Sequence, residues 1–174
     1  MGRVLYLLSG NIVAVSMITA NDLLTQMRQA SELYYRLVLV CQPRVFAPSV
    51  LYQAASQTGA RVLNVNLELS KLLLEMTQRQ RKLQLGSALE QAIAGFVARE
   101  TTIGEFVFLD HIDILFEPSL ESNPLALLQR ASRSRVVAAV WYGALEDGVL
   151  TYAQPNHPAF RRYPTKDFLA IQLD

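Results

Sequence analysis

Asp110 closes the run Phe106-Val107-Phe108-Leu109, and an acid at the exit of an apolar strand is placed to do phosphoryl chemistry. A carboxylate in that position is costly unless it is solvated or bound to a cation. Its candidate role is to orient Mg²⁺; an ordinary loop acid, or a cap for the following turn, is the competing reading. His111 follows directly and Asp113 comes two positions later. An imidazole beside a metal-orienting acid can act as a general base, with a plain rim histidine as the alternative. The candidate catalytic residues are therefore Asp110 and His111.

A magnesium–phosphate site also needs a loop whose glycines let backbone N–H groups curl inward. It needs a lysine for the β- and γ-phosphates and a Ser/Thr hydroxyl for the metal. The segment after Leu37-Val38-Leu39-Val40-Cys41 stands where such a loop belongs. Superposing Gly-x₄-Gly-Lys-Ser/Thr puts Gln42 and Ala47 at the glycine positions and Pro48 at the lysine, while Ser49 keeps the hydroxyl. Pro43 and Pro48 each remove an N–H donor. Arg44 is the candidate substitute cation, and the helix start at Pro48-Ser49 can attract an anion. The expectation is a degenerate nucleotide site of Gln42, Pro43, Arg44, Ala47, Ser49 and Asp110. Ser49 and Asp110 would hold Mg²⁺ only if nucleotide binds. Each lost charge-assisted hydrogen bond costs about 1.5–3 kcal/mol, so the cofactor is either none or weakly held MgATP.

The elements that must position these residues alternate. Asn21 is a candidate N-cap for a helix reaching Tyr35, with Leu23, Leu24, Met27, Ala30, Leu33 and Tyr34 at helical spacing. Leu37–Cys41 has no polar alternation, the pattern of a central parallel strand covered on both faces. Pro48 to Gln57 reads as a helix stopped by Gly59. Arg61 to Asn66 reads as a strand, after which Asn66 caps a helix through Met76. Thr77 to Lys82 is a helix end or an exposed connection, and Gly86-Ser87 opens the next helix. Strands follow at Glu105–Leu109 and Val136–Tyr142, with a helix from Asn123-Pro124 between them. Asp147-Gly148 marks a hairpin between Val140–Leu145 and Val149–Ala153, and Phe168–Leu173 makes a last strand. There are no internal repeats. Strands alternating with helices predict an α/β fold with a mostly parallel sheet flanked by helices and a small C-terminal antiparallel hairpin. Ligands bind beyond the carboxyl ends of such strands.

Residues 21–174 are enough for one domain, and residues 1–20 are an extension of their own kind. Arg3 before the apolar stretch Val4–Ala20 has the look of a secretory signal, but Ser9, Gly10, Asn11 and Ser16 interrupt it. Gly10-Asn11 between Val4–Leu8 and Ile12–Val15 is also a hairpin signal, and Met17 is an alternative start. A hydrophobic content of 51% with 18% charged residues excludes disorder as the main state. A net charge of +1 gives no argument for nucleic acid or an anionic membrane. The lone Cys41 excludes an internal disulfide and favours a reducing, cytoplasmic compartment.

Three further groups of residues have functional readings. Arg130 and Arg133, with Arg135, lie where an oligomeric ATPase can supply an arginine in trans; cations complementing a helix end are the alternative. Arg161-Arg162, with Arg79, Arg81 and Lys82, form a candidate DNA contact. Trp141 and Tyr142 read as core and rim aromatics.

Five runs carry a family resemblance: Tyr34-Tyr35-Arg36-Leu37-Val38-Leu39-Val40, Asn64-Val65-Asn66-Leu67-Glu68-Leu69-Ser70, Leu109-Asp110-His111-Ile112-Asp113-Ile114-Leu115-Phe116, Pro124-Leu125-Ala126-Leu127-Leu128-Gln129 and Leu150-Thr151-Tyr152-Ala153. Together, over about Asn21 to Tyr163, the chain resembles the BrxF family of small P-loop-containing proteins from type 3 BREX bacteriophage-defence systems. The resemblance implies a P-loop NTPase-like fold of the AAA/ASCE type and a bacterial cytoplasmic location. It also implies partners in a larger BREX ATPase, a methyltransferase and phosphatase-like proteins, with a homo-oligomer as a further option. Only Ser49 and Asp110 match the family's nucleotide-site positions; Gln42, Ala47 and Pro48 depart from them. The expected function is an accessory subunit of a defence complex acting through protein contacts, with a trans-completed NTPase and a DNA-binding accessory as alternatives.

Overall fold

The computed structural model describes residues 4–8, 11–15, 18–44, 49–99 and 106–173. Fourteen helices and strands follow in chain order: β1 (Val4–Leu8), β2 (Asn11–Val15), α1 (Ala20–Ala30), β3 (Leu37–Gln42), α2 (Ser49–Gln57), β4 (Val62–Asn64), α3 (Val65–Leu74), α4 (Gln78–Arg99), β5 (Phe106–Asp110), α5 (Pro124–Ala131), β6 (Val136–Glu146), β7 (Val149–Tyr152), β8 (Arg161–Pro164) and β9 (Leu169–Gln172). Two short 3₁₀ turns, Asp113–Phe116 and Pro118–Leu120, join β5 to α5.

Five parallel strands form the main sheet in the order β4-β5-β6-β3-β9. β6 is long enough to do two jobs. Its first half pairs with β3 and β5 in parallel, and its second half passes beyond the sheet rim to pair with β7 antiparallel. β7 then pairs with β8, so the predicted hairpin at Asp147-Gly148 grows into a three-stranded flap. β1 and β2 pair antiparallel as a separate hairpin, Leu8 opposite Asn11.

The apolar runs are buried because both faces of the sheet are covered. Along β3, Leu37, Leu39 and Cys41 face a core shared with α3, α4 and α5, while Val38 and Val40 face a second core shared with α1 and α2. Val137, Ala139 and Trp141 against Val136, Ala138 and Val140 divide β6 in the same way. This period-two division is why an uninterrupted apolar strand can be satisfied at every position.

Several local expectations change. Thr19, not Asn21, caps α1: its side chain accepts the Asp22 N–H while the Asp22 side chain accepts the Thr19 N–H, a reciprocal capping box. The helix stops at Ala30, short of the expected Tyr35. Asn64, not Asn66, caps α3, accepting from Leu67 N–H at 2.9 Å. The polar run from Gln78 is helical, so α4 begins eight residues before Gly86. Thr77 and Gln80 exchange capping-box bonds at that start. Gly86 is instead a packing position. A Cβ there would meet Leu127 Cδ2 at 3.3 Å and Arg130 Nη1 at 3.4 Å, so glycine lets α4 approach α5 closely. β8 was not anticipated: its residues alternate between exposed and half-buried, and they carry little apolar signal.

Candidate functional site

The parallel register brings the ends of β3, β4, β5 and the middle of β6 to one rim. Asn64 stands opposite Asp110, and Gln42 opposite Tyr142. β6 lies between β3 and β5, so Asp110 and the exit of β3 are separated by two strand spacings, about 10 Å.

Asp110 is 1% exposed. Its Oδ2 accepts the Tyr52 hydroxyl at 3.1 Å, and its Oδ1 accepts the Tyr142 hydroxyl at 3.0 Å and the His111 N–H at 2.6 Å. The donors come from three places in the chain: α2, β6 and the residue after β5. His111 adopts φ 52, in the left-handed region. That turn brings its N–H back onto Asp110 while its carbonyl accepts Asn66 N–H at 2.9 Å. The imidazole Nε2 lies 3.6 Å from Asp110 Oδ2, and the side chain is 45% exposed.

Asp113 organises a second cluster beside the first. It pairs with Arg44 and accepts the Tyr152 hydroxyl at 2.8 Å and the Asn66 amide at 3.3 Å. The Asn66 Oδ1 in turn accepts Ile114 N–H at 2.8 Å, tying the first turn of α3 to the 3₁₀ turn. The Arg44 guanidinium lies 4.7 Å from the centroid of the Tyr142 ring, so a cation–π contact links the two clusters. Burial by itself pushes the Asp113 carboxyl up, but the bonds from Arg44, Tyr152 and Asn66 outweigh it and hold it below its ordinary value. Burial, reinforced by Asp110, pushes Tyr52 up to about 12 and Tyr142 higher still. Burial and the Asp113 hydrogen bond raise Tyr152. At neutral pH all three phenols are therefore donors to carboxylates.

An aromatic base supports this network. Tyr152 stacks on Phe116 with centroids 3.5 Å apart, and Trp141 meets Phe116 edge-on at 5.0 Å. The Trp141 indole N–H donates to Thr151 O at 2.7 Å. Gly143 makes that approach possible, since a Cβ there would fall 1.9 Å from the same carbonyl oxygen.

The sequence-predicted residues are distributed unevenly. Arg44, Asp110 and His111 meet at the rim. Gln42 is buried at the end of β3, and exposed Pro43 borders a cleft described below. Ala47 and Pro48 fall outside the described residues, as does the side chain of Ser49. Arg130 makes two hydrogen bonds to Glu90, at 2.7 and 3.1 Å. Arg133 lies over the Tyr34 and Tyr35 rings. Both arginines are engaged within their own chain, near the amino end of β6 and away from Asp110. Sequence reasoning missed Tyr52 and Tyr152, and read Asn66 as a helix cap where it instead bonds Asp113 and Ile114. Tyr52 had the one available signal: it follows the Ser49 position by three residues, which is one turn of helix.

A Mg²⁺ ion is a poor fit to Asp110 as it stands. Asp110 is 1% exposed, its Oδ1 already accepts two protein donors and its Oδ2 one, which leaves little open oxygen for a hydrated ion that retains several waters. Among the described residues, no group of three or more His, Cys, Asp or Glu side chains could hold a metal ion. No helix among them is long and apolar enough to cross a membrane.

No protein-family model, no curated protein and no solved structure matches this chain. The class defined by the described residues is an α/β protein with a mostly parallel sheet flanked by helices.

Proposed function

We propose that this chain is a P-loop NTPase-like accessory subunit of a bacterial anti-phage complex of the BREX type, with a nucleotide site that no longer turns over. The observation that carries the non-catalytic reading is the closure of Asp110 by Tyr52 and Tyr142. A carboxylate that orients Mg²⁺ has to present oxygen toward the metal's water shell, and here phenol hydroxyls take that place. The strand order supports ancestry in the AAA/ASCE class, where one strand separates the phosphate-loop strand from the acid-bearing strand. The five sequence runs support the defence assignment. Gln42, Pro43, Ala47 and Pro48 remove the loop chemistry from the other side of the site.

Work through protein contacts agrees with the surface. Leu67 and Leu74 on α3 and Leu83 on α4 are 54%, 70% and 75% exposed. Leu74 also lines a cavity of about 300 Å³ between α3, α4 and the 3₁₀ turns, where Leu73, Ile114 and Leu120 meet polar Gln78, Arg81 and Glu117. Exposed apolar side chains grouped on a surface are a common mark of a docking face.

Two measurements test the proposal. Titration calorimetry with MgATP should give no Mg²⁺-dependent binding in the micromolar range, and phosphate release should not exceed the blank. A micromolar, Mg²⁺-dependent dissociation constant that disappears in Asp110→Ala overturns the closed-site reading. Affinity capture from phage-challenged cells should recover a larger ATPase or methyltransferase; recovery of neither overturns the defence assignment.

A further inference from the structure

A cleft of about 740 Å³ opens at the carboxyl rim between the exit of β3, the second half of β6 and the turn after β7. Asp110 does not line it. Arg44, Tyr142, Thr151, Gln154, Asn156 and His157 do; no aspartate or glutamate is among its described lining residues, and Asp113 stands behind Arg44 as its ion-pair partner. Its polar groups are an arginine already ion-paired with Asp113, an imidazole and two carboxamides, set on apolar walls.

Arg44 is the central group. Its side chain is 60% exposed, yet its position is set twice, by Asp113 and by the Tyr142 ring. Nη2 makes the bonds to both Asp113 and Tyr152, whereas a guanidinium carries five N–H donors in a fixed fork. The pairing anchors one edge of the fork and keeps the group at the mouth of the cleft. An arginine held this way loses little conformational freedom on binding an anion.

The opposite wall is also pre-set. Gln154 O accepts His157 N–H at 2.9 Å, and His157 O accepts Phe160 N–H at 2.9 Å, so residues 154–160 form consecutive tight turns. The His157 Nδ1 accepts Ala159 N–H at 3.1 Å. A ring nitrogen that accepts carries no proton, so the neutral imidazole bears its N–H on Nε2. Two separate segments therefore offer an arginine fork and an imidazole donor to one cleft. Carboxamides beside them match hydroxyls as well as charge. The ring face of Tyr142 that Arg44 covers is closed to a stacked base.

We propose that this cleft binds a small organic phosphate, the phosphoryl group taken by Arg44 and His157 and the hydroxylated body by Gln154 and Asn156. Recognition is by protein donors alone and needs no Mg²⁺. It goes beyond the closed nucleotide site: Tyr142 joins the cleft to Asp110, but Asp110 itself does not line the cleft and the proposed contacts do not use it.

Trp141 is the only tryptophan, and its indole is bonded to Thr151, which lines the cleft. Its fluorescence therefore reports occupancy in the unmodified full chain. Titration with ribose 5-phosphate in excess EDTA should give a saturable change, with affinity about tenfold above that for inorganic phosphate. Arg44→Gln should weaken binding roughly tenfold or more through loss of a charge-assisted bond, and His157→Ala roughly two- to tenfold. Circular dichroism confirms that each variant is folded; both positions are exposed. Absence of saturation by about 10 mM, far weaker than the roughly millimolar floor of useful recognition, overturns the proposal. So does binding that both variants leave unchanged, binding that requires Mg²⁺, or equal affinity for inorganic phosphate and ribose 5-phosphate.

Discussion

The Tyr52 hydroxyl donates to Oδ2 of Asp110 at 3.1 Å, so a side chain one turn into α2 closes the acid at the end of β5. Removing that donor leaves a buried carboxylate oxygen short of a partner. Tyr52→Phe should cost about 1–3 kcal/mol in urea unfolding, and Tyr142→Phe a similar amount. The double variant should cost more than the sum, because the last donor from a side chain leaves with it. A loss within about 0.5 kcal/mol for both singles, the range of a neutral surface change, would show that the phenols do not hold the carboxylate.

The same phenols set the alkaline limit. Folding raises Tyr52 from 10.0 to about 12, and raises Tyr142 and Tyr152 in the same direction. A pKa raised in the folded state means stability fully present below the unfolded value and lost as pH climbs through the folded one. Urea midpoints should therefore fall as pH rises from about 10 toward 12, and Tyr52→Phe should flatten that fall. A midpoint unchanged across that window would contradict the network.

Asp113 sets part of the acid limit, with the opposite sign. Its carboxyl is held below 3.8 in the folded protein, so its contribution is present above that value and lost as pH falls below it. Asp113→Asn should lower stability at neutral pH and make the acid limb shallower. An acid limb as steep as that of the parent protein would remove Asp113 from the account.

Cys41 is fully buried on β3, and burial pushes its thiol far above the ordinary range. The thiolate is the reactive form, so a disulfide-exchange reagent should label the folded chain only at the rate of unfolding. Labelling should become rapid at the urea midpoint. Fast labelling in native buffer would show that β3 opens locally.

Gly143→Ala places a Cβ against the Thr151 carbonyl, a backbone atom that cannot swing aside. The cost should be about 1–3 kcal/mol, the range for forced overpacking. Trp141 emission should shift as its bond to Thr151 is disturbed. An unchanged spectrum with unchanged stability would mean that the flap relaxes freely.

How much of this was legible in the sequence depends on range. β3, β5 and the first half of β6 could be read because a strand covered on both faces must be apolar at every position, whatever covers it. α5 announced itself through Asn123-Pro124, and the hairpin through Asp147-Gly148, because caps and tight turns are chemistry between near neighbours. The polar start of α4 is not legible in the sequence because Gln78–Lys82 offers no apolar stripe; Thr77 and Gln80 form its cap, and Gly86 faces α5. Asn64 and Asn66 are two residues apart and equally able to cap. Packing chose Asn64, and set Asn66 to bond Asp113 and Ile114.

By itself the sequence determined the α/β alternation, the acid at the end of β5 and the loss of the glycines and lysine after β3, because each is a property of consecutive residues. Only the tertiary structure decided what meets Asp110. Tyr52 and Tyr142 stand 58 and 32 residues from it, and Arg44 stands 69 from Asp113. No local spacing encodes those meetings. They follow from strand order and register, which set β3, β6 and β5 side by side and bring their ends to one rim.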